Sequence, residues 1–450
     1  MPLAPRQFSP AQLLAISILG LIAVGALLLW LPIASTREQL SLLDALFTST
    51  SAVCVTGLIV VDTPVDLSTF GQIVVLLLIQ AGGLGYMAIT TIVAVAIGKQ
   101  LTVHERLTLQ EALNVHGMDG LIRFVFIVFK LTLIFEIIGA LVLALRWMGD
   151  MGIGRALYYG LFHAVSAFNN AGFALFSDSL MGFRDDPVVN LVIMTLIVSG
   201  GLGFVVLTEI GRLRRTRRLS VHSRLVLTAT AVLIAAATVL IFLLERRNPL
   251  TLGNLASPQA LMAALFQAVT PRTAGFNTID IGAMTQPALF LLMVMMFIGA
   301  APGGTGGGVK VTTFSITVAA LWATVRGAEE PSIFKRRIPS SLVARAFFIC
   351  LIAFLALNGI AGLLLVTQDQ ERVLLKILFE TTSAFGTVGV SMGERGSPLS
   401  LAGHFNDAGK LLIMAMMFMG RIGPLTLAVA VARRGTPARY RYAEGKILVG

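Results

Sequence analysis

Four short strings that end in glycine recur along this 450-residue chain, each after a Leu-Phe pair. The glycine lies ten residues after the phenylalanine in three strings and nine in the third, and successive glycines are 115, 103 and 114 residues apart. Any one glycine could simply mark a turn, but four at one spacing indicate a repeated structural unit. The candidate site residues in the strings are Val55, Thr56 and Gly57; Asn170, Ala171 and Gly172; Thr273, Ala274 and Gly275; and Thr387, Val388 and Gly389.

Backbone carbonyls in such strings can replace the water around a K⁺ ion, because glycine adopts the positive φ angles that turn successive carbonyls inward. Non-helical backbone persists at membrane depth only where it lines water or is buried in protein. The half-apolar segments before the strings are expected to form short re-entrant helices, whose negative C-terminal ends would face the cation. The strings therefore predict a cation pore.

A second glycine-rich segment, residues 299–308, interrupts an apolar stretch over residues 288–320. Glycine at this density disfavours a continuous helix, so we predict two half-helices around an intramembrane loop. We interpret the loop as a gate, although close helix packing is an alternative role for glycine. A phosphate-binding loop is not indicated, because that motif requires Gly-Lys-Ser/Thr and Val309 intervenes here. The candidate gate residues of this segment are Gly303, Gly304, Thr305, Gly306, Gly307, Gly308 and Lys310.

Arg421 is a further candidate gate residue, with ten uncharged residues before it and eleven after. A charge at this depth is costly and usually functional. In the repeat alignment Arg421 takes the place of Gly83 and Gly201, so we predict that it points into the pore as an electrostatic barrier. A structural salt bridge with Glu136 is the alternative. Arg272, in the third string, is expected to support the strings by hydrogen bonds to backbone.

The composition places these residues in a membrane protein. Hydrophobic residues make up 56% of the chain and charged residues 13%, and the mean hydropathy is +0.86. A helix needs about 20 apolar residues to cross a bilayer core. The first apolar run is too long for a signal peptide and is interpreted as retained. Eight spans are predicted, over residues 7–36, 67–98, 121–146, 187–208, 225–244, 281–309, 346–368 and 410–432.

These features predict an all-α polytopic membrane protein in which four repeats surround a central pore. Each repeat is a helix, a re-entrant pore helix and a second helix, and the repeats cover residues 1–100, 101–218, 219–335 and 336–450, the last with a cytoplasmic tail. Lys and Arg concentrate in alternate connections, including Lys99 and Arg106, and in the tail from Arg433 onward. Both termini are therefore expected in the cytoplasm, and the acidic outer connections would attract cations.

Other classes of function fit the sequence less well. The net charge of +11 lies between membrane spans, so no nucleic-acid partner is expected. Two cysteines and five scattered histidines lack metal-site spacing, and no nucleophile with its base indicates an enzyme. A coupled secondary transporter would have inverted repeats and paired broken helices. Here the four repeats share one orientation, and only the third repeat is predicted to have a clearly broken helix.

The chain resembles the Trk/Ktr/HKT superfamily of K⁺ transporters over nearly its whole length. The matching segments are Asn170–Phe173, Arg272–Asn277, Pro302–Lys310 and Thr387–Gly389. Because the chain begins almost directly with the first repeat, it looks most like the ion-translocating membrane subunit of Ktr systems. In this family each of four pore repeats carries one filter glycine, and an arginine at the place of Arg421 lines the pathway.

The resemblance implies K⁺ uptake across the plasma membrane by a homodimer with one pore per subunit. It also implies a separate cytosolic ring of nucleotide-binding, RCK-type regulatory subunits (KtrA-like), since this chain has no dinucleotide-binding fingerprint. K⁺ is the expected transported ion, Na⁺ is a candidate activating ion, and no organic cofactor is expected. All four filter positions hold glycine, as in K⁺-selective members, whereas Na⁺-selective plant relatives have serine at the first.

Overall fold

The computed structural model describes residues 9–85, 110, 121–328, 330–368, 373–394, 396–424 and 426. Lys99, Arg106 and the tail from Arg433 onward lie outside these residues, as do parts of the first, second and eighth predicted spans, namely 7–8, 86–98, 425 and 427–432. The described chain is predominantly helical, with one small antiparallel hairpin of β1 (Ser332–Ile333) and β2 (Arg336–Arg337). Its α-helices are α1 (Pro10–Trp30), α2 (Leu42–Val53), α3 (Thr63–Asp66), α4 (Thr69–Leu84), α5 (Leu121–Met151), α6 (Ile153–Phe168), α7 (Pro187–Leu202), α8 (Phe204–Thr216), α9 (Val221–Glu245), α10 (Ser257–Val269), α11 (Gln286–Phe297), α12 (Val311–Val325), α13 (Ser340–Thr367), α14 (Leu374–Gly386) and α15 (Asp407–Ile422).

One order of elements occurs four times in the described chain. A long apolar helix (α1, α5, α9 or α13) is followed by a short helix (α2, α6, α10 or α14), a non-helical string and a second helix (α4, α7, α11 or α15). Polar N-cap residues start several of the second helices: the side chains of Ser68, Asp186 and Asn406 accept from backbone N–H groups of the first turn. Such caps satisfy donors that have no partner inside the helix.

Four described helices are long and apolar enough to cross a bilayer: Ala11–Trp30, Ile122–Met151, Val221–Glu245 and Ser340–Thr367. The count is five if the bent pair Pro187–Leu202 and Phe204–Arg214 forms one span. The second helices are shorter, at 12 to 16 residues. The number of eight spans therefore stays a prediction.

The helices pack in a closed cycle. Each long helix packs on the short helix of its own repeat, and each second helix packs on the short helix of the next repeat. These second contacts are α4 with α6, α7 with α10, α11 with α14 and, to close the cycle, α15 with α2. The phenylalanines of the four Leu-Phe pairs, Phe47, Phe162, Phe266 and Phe379, are all fully buried. The phenylalanine of each repeated pair thus anchors its short helix in the interior.

The second helices end at glycines, and the prediction of a single clearly broken helix is wrong. Helix α7 ends before Gly203, which has a φ of 89°, and α8 continues at an angle of 102°. Gly85 and Gly423 end α4 and α15 in the same conformation, with φ of 77° and 92°. Positive φ turns the chain out of the helix at little cost only for glycine. In the third repeat the non-helical segment is longer, from residue 298 to residue 310.

A close contact between two helices of the second repeat, α5 and α6, offers a test of this packing. A Cβ added at Gly160 of α6 would lie 2.6 Å from the carbonyl oxygen of Ala140 in α5, whereas nothing lies within 4 Å of one added at Gly154. We expect Gly160→Ala to lower the free energy of unfolding by ~1–3 kcal/mol because α5 and α6 must separate. Gly154→Ala, in the same helix, should cause no loss. Thermal unfolding of the detergent-solubilised variants measures both, and equal stability of Gly160→Ala and the unchanged protein would contradict the packing.

Candidate functional site

The four glycine strings lie next to one another in a ring. A Cβ added at Gly57, Gly172, Gly275 or Gly389 would lie under 3.0 Å from a carbonyl oxygen of the neighbouring string. The oxygens, in that order, belong to Ala171, Ala274, Val388 and Thr56. Each string therefore approaches the next, and the fourth approaches the first. The structure brings together all twelve candidate residues of the four strings.

The strings share one backbone conformation. The four glycines have φ between 70° and 90°, and the residue two positions before each glycine also has a positive φ. Those residues are Val55 (51°), Asn170 (58°), Thr273 (74°) and Thr387 (49°). Alternation between left-handed and ordinary backbone turns consecutive carbonyls to one side of the chain. A β-branched residue such as Val55 adopts this conformation rarely, at a cost of about 1–3 kcal/mol, which the surrounding contacts must offset.

Hydroxyl side chains at the ends of the short helices hold the strings from behind. The oxygens of Ser51 and Ser383 accept from the N–H groups of Gly57 and Gly389, both at 3.1 Å. In the other two repeats the hydroxyls donate to the carbonyl just after the glycine: Ser166 to Phe173 at 2.7 Å and Thr270 to Phe276 at 2.5 Å. The sequence reasoning missed these residues. An alignment on the glycines would have found them, because each lies six residues before its glycine, or five in the third repeat.

The carbonyls at the centre of the strings have no such partners. Among the hydrogen bonds of the described residues, none has the carbonyl of Thr56, Ala171, Ala274 or Val388 as acceptor. A buried carbonyl without a donor costs free energy unless water or a cation replaces it. The ring of strings therefore presents several free oxygens to whatever occupies its centre.

The glycine ends of the strings open on a cavity of about 910 Å³. Its lining includes Asp62, Asp178, Asp280 and Glu394, one acidic residue from each repeat, together with Lys376. Burial raises the pKa of Asp62 above its ordinary value, while a hydrogen bond from the Ser177 hydroxyl opposes this effect. The other three carboxylates line the same space, so the cavity would favour cations over anions.

The loop between α11 and α12 lies against the other ends of the strings. The N–H of Gly307 donates to the Thr387 hydroxyl at 3.0 Å, and a Cβ at Gly306 would collide with the Thr273 hydroxyl. The Thr305 hydroxyl donates to the carbonyl of Phe168, at the end of α6. Backbone hydrogen bonds join the loop to α7 and α15, from Thr305 to Gly200 and from Gly308 to Gly420. Gly303 accepts from Phe204 beyond the bend, and the Gly304 N–H donates to the carbonyl of Ala301 within the loop.

Two cationic side chains bind adjacent carbonyls of this loop. The Lys310 ammonium donates to the carbonyl of Gly306 at 2.5 Å, and the Arg421 guanidinium donates to that of Thr305. Arg421 also donates to the carbonyls of Gly82 and Gly83, in the last turn of α4. Carbonyls at a helix C-terminus have no intrahelical donor and carry partial negative charge. Arg421 therefore joins the loop of the third repeat to the helix end of the first.

Glu136, the partner considered in the alternative role of Arg421, lies elsewhere. The Glu136 carboxylate is buried and accepts from the side-chain amides of Gln80, at 3.2 Å, and Asn169, at 2.9 Å. Asn169 ends α6 immediately before the second string. The alternative of a salt bridge between Arg421 and Glu136 is wrong, since among the described residues the guanidinium donates to backbone carbonyls and the carboxylate accepts from amides. Glu136 instead links α4 and α5 to the second string.

Arg272, at the start of the third string, does not support the strings in the expected way. Its side chain is buried, and Nη2 donates to the hydroxyl of Thr230 in α9 at 3.2 Å. Within the described part of the chain its Nη1 has no hydrogen-bond partner. The prediction of hydrogen bonds from Arg272 to string backbone is wrong, since the side chain extends outward to the long helix.

Comparison with known proteins identifies the family. Residues 12–437 match the model of the TrkH cation transport proteins. The Ktr system potassium uptake protein B of Bacillus subtilis is 43% identical over 99% of this chain and 97% of its own length. The protein of the same name from Vibrio alginolyticus is 40% identical over 98% and 94%, and the potassium/sodium uptake protein NtpJ of Enterococcus hirae is 36% identical over 99% and 98%.

A solved structure supports the same fold. The potassium transporter TrkH from Vibrio parahaemolyticus matches with a TM-score of 0.76, over 95% of this chain and 86% of that one, at 21% sequence identity. The resemblance to the Trk/Ktr/HKT superfamily is thereby confirmed, as is a membrane protein built of helices. The chain belongs to the TrkH family of cation transport proteins.

Proposed function

We propose that this protein takes up K⁺ across the plasma membrane, as the ion-translocating subunit of a Ktr-type system. Relatives 43% and 40% identical to it carry the name Ktr system potassium uptake protein B. The observation that carries the proposal is the ring of strings, in which each glycine faces a carbonyl oxygen of the next string. Such a ring, open to an acidic cavity, favours a transport role because its free carbonyl oxygens can bind a cation that enters from the cavity.

The proposed selectivity filter consists of the four strings, one from each repeat. Carbonyls of residues such as Thr56, Ala171, Ala274 and Val388 would replace the water around K⁺. The positive φ angles at the glycine and two residues before it support this role, because strained backbone persists where a site requires it. Hydroxyls behind the strings would fix the spacing of the oxygens.

The proposed gate is the loop below the filter together with Arg421. The loop contacts Thr273 and Thr387, so an ion that leaves the strings meets it next. The guanidinium of Arg421, held on carbonyls of the first and third repeats, would repel the cation electrostatically. Lys310 would add to this barrier through its bond to Gly306. Movement of the loop would lower the barrier.

The proposed assembly follows the resemblance to Ktr systems. Each subunit would contain four pore repeats, over 1–100, 101–218, 219–335 and 336–450, with eight spans and both termini in the cytoplasm. Two subunits would form a homodimer on a cytosolic ring of RCK-type regulatory chains, and the word "system" in the names of two relatives is consistent with further components. We propose Na⁺ as an activating ion, since one relative is named for potassium and sodium uptake.

Serine at a filter glycine should weaken K⁺ uptake. In Gly57→Ser or Gly389→Ser the new Cβ collides with the carbonyl of Ala171 or Thr56, and a positive φ is retained. We expect a bacterium that lacks its own K⁺ uptake to need about tenfold more K⁺ for growth with either variant, equivalent to ~1.4 kcal/mol. Gly20→Ser is the matched control, because nothing lies within 4 Å of a Cβ there. Equal growth with all variants at low K⁺ would refute the filter.

Removal of the barrier should raise flux. Arg421→Ala, or deletion of part of residues 303–308, frees the passage below the strings, and we expect Rb⁺ flux into proteoliposomes to rise about tenfold, which corresponds to ~1.4 kcal/mol of barrier. Arg345→Ala, an arginine on the exposed face of α13, should leave flux unchanged. If both the Arg421 variant and the loop deletion transport at the original rate, neither group acts as a gate.

A further inference from the structure

Glu380 is a fully buried carboxylate in α14, the short helix of the fourth repeat, nine residues before Gly389. Both of its oxygens accept hydrogen bonds. Oε1 accepts from the N–H of Ala402 at 2.8 Å, and Oε2 accepts from the hydroxyl of Ser391 at 2.6 Å. Ser391 lies two residues after Gly389 and lines the outer cavity. The side chain therefore ties the fourth string to the outer turn Leu401–His404.

The hydrogen bonds of Ser391 determine the chemistry required at position 380. The Ser391 oxygen accepts from the N–H groups of Gly393, at 3.1 Å, and Leu401, at 2.9 Å. A hydroxyl has two acceptor sites and one proton, so only its proton remains for Glu380. Ala402 likewise offers only a donor. The residue at 380 must therefore accept at both ends, which a carboxylate does and an amide does not.

The outer segment around residues 400–402 also holds the first string. The hydroxyl of Ser400 accepts from the N–H of Ile59 at 2.9 Å, and the Ser400 N–H donates to the Ile59 carbonyl at 3.0 Å. Ile59 lies two residues after Gly57 and also lines the cavity. One segment thus fixes the outer ends of the first and fourth strings, which are neighbours in the ring.

The residues at the positions equivalent to Glu380 in the other repeats make longer contacts of this kind or, among the described residues, none. Nε2 of His163 accepts from the N–H of Leu175 at 3.3 Å, and the Gln267 amide lies 3.5 Å from the Thr278 hydroxyl. Both partners lie three residues after the glycine. Thr48 has the same place in the first repeat, and its buried hydroxyl has no hydrogen-bond partner in the described chain. The fourth repeat therefore has the shortest of these contacts.

We propose that Glu380 is a positioning residue that, through Ser391 and the 400–402 segment, sets the distance between the first and fourth strings and thereby the preference for K⁺ over Na⁺. The inference rests on the proposed function of the strings. The spacing of carbonyl oxygens determines which ion they hold in place of water. A tie that joins two neighbouring strings bears directly on that spacing.

The test measures uptake of Rb⁺ into proteoliposomes and its inhibition by Na⁺, with Glu380→Gln, Ser391→Ala, Ser391→Thr and Thr48→Val. Glu380→Gln places an NH₂ group against a second donor in either amide orientation, and Ser391→Ala removes the donor but keeps the charge. For both we expect the preference for Rb⁺ over Na⁺ to fall about tenfold, as a buried hydrogen-bonding group loses its partner. Ser391→Thr keeps the hydroxyl and should retain the preference. Thr48→Val, at the equivalent position without a partner, should also retain it.

The outcomes separate this inference from the proposed function. If Ser391→Ala keeps its preference for Rb⁺ over Na⁺, the inference is overturned even if Glu380→Gln fails to fold. It is also overturned if Thr48→Val loses as much of this preference as Ser391→Ala. If Glu380→Gln loses the preference for Rb⁺ but Ser391→Ala keeps it, the charge of Glu380 and not its hydrogen bond to Ser391 sets the preference, which also overturns the inference. Gly389→Ser is measured in parallel. If the unchanged protein shows no preference, or Gly389→Ser does not lower it, the filter assignment itself fails.

Discussion

The structure depends on the need to satisfy backbone polar groups where the chain is not helical but is surrounded by apolar helices. N–H groups of every string donate to the short helix before it. The N–H groups of Thr56, Ala171 and Val388, for example, donate to the carbonyls of Ser51, Ser166 and Ser383. The carbonyls remain, and they meet at the ring. In an apolar interior they require water or a cation. The ion that we propose at the ring would therefore meet a need of the strings themselves.

The same requirement explains the contacts made beneath the ring. The second helices of the first, second and fourth repeats end at glycine, so their last carbonyls lack intrahelical donors. Arg421 donates to those of the first repeat, and the loop of the third repeat donates to Gly200, Gly201 and Gly420 in the other two. The proposed gate is therefore built from groups that also complete the helix ends. Opening would have to break several hydrogen bonds together.

The sequence was sufficient to locate the residues that repeat and those that stand out. The four glycines recur at a nearly fixed spacing, and the glycine-rich loop and the isolated arginine each occur in an unusual setting. Positive φ at Val55 and Thr387 was not predictable, because these residues disfavour it and only the closed ring imposes it. The partners of Glu136 and Arg272 depend on which helices meet in space, and charge alone suggested the wrong pairing for Glu136. The bend at Gly203 was missed because Gly200–Gly203 fits close packing and helix termination equally well.

We propose that oxygens of the four strings hold a dehydrated cation on a common axis. Crystals or cryo-EM grids of the full-length protein in Tl⁺ or Rb⁺ in place of K⁺ would show it directly, because these ions scatter strongly. We expect density on the axis between the carbonyls of Thr56, Ala171, Ala274 and Val388, and loss of this density when Na⁺ replaces the heavier ion. Absence of density at the ring in Tl⁺, or density only among the carboxylates of the outer cavity, would refute a cation site formed by the strings.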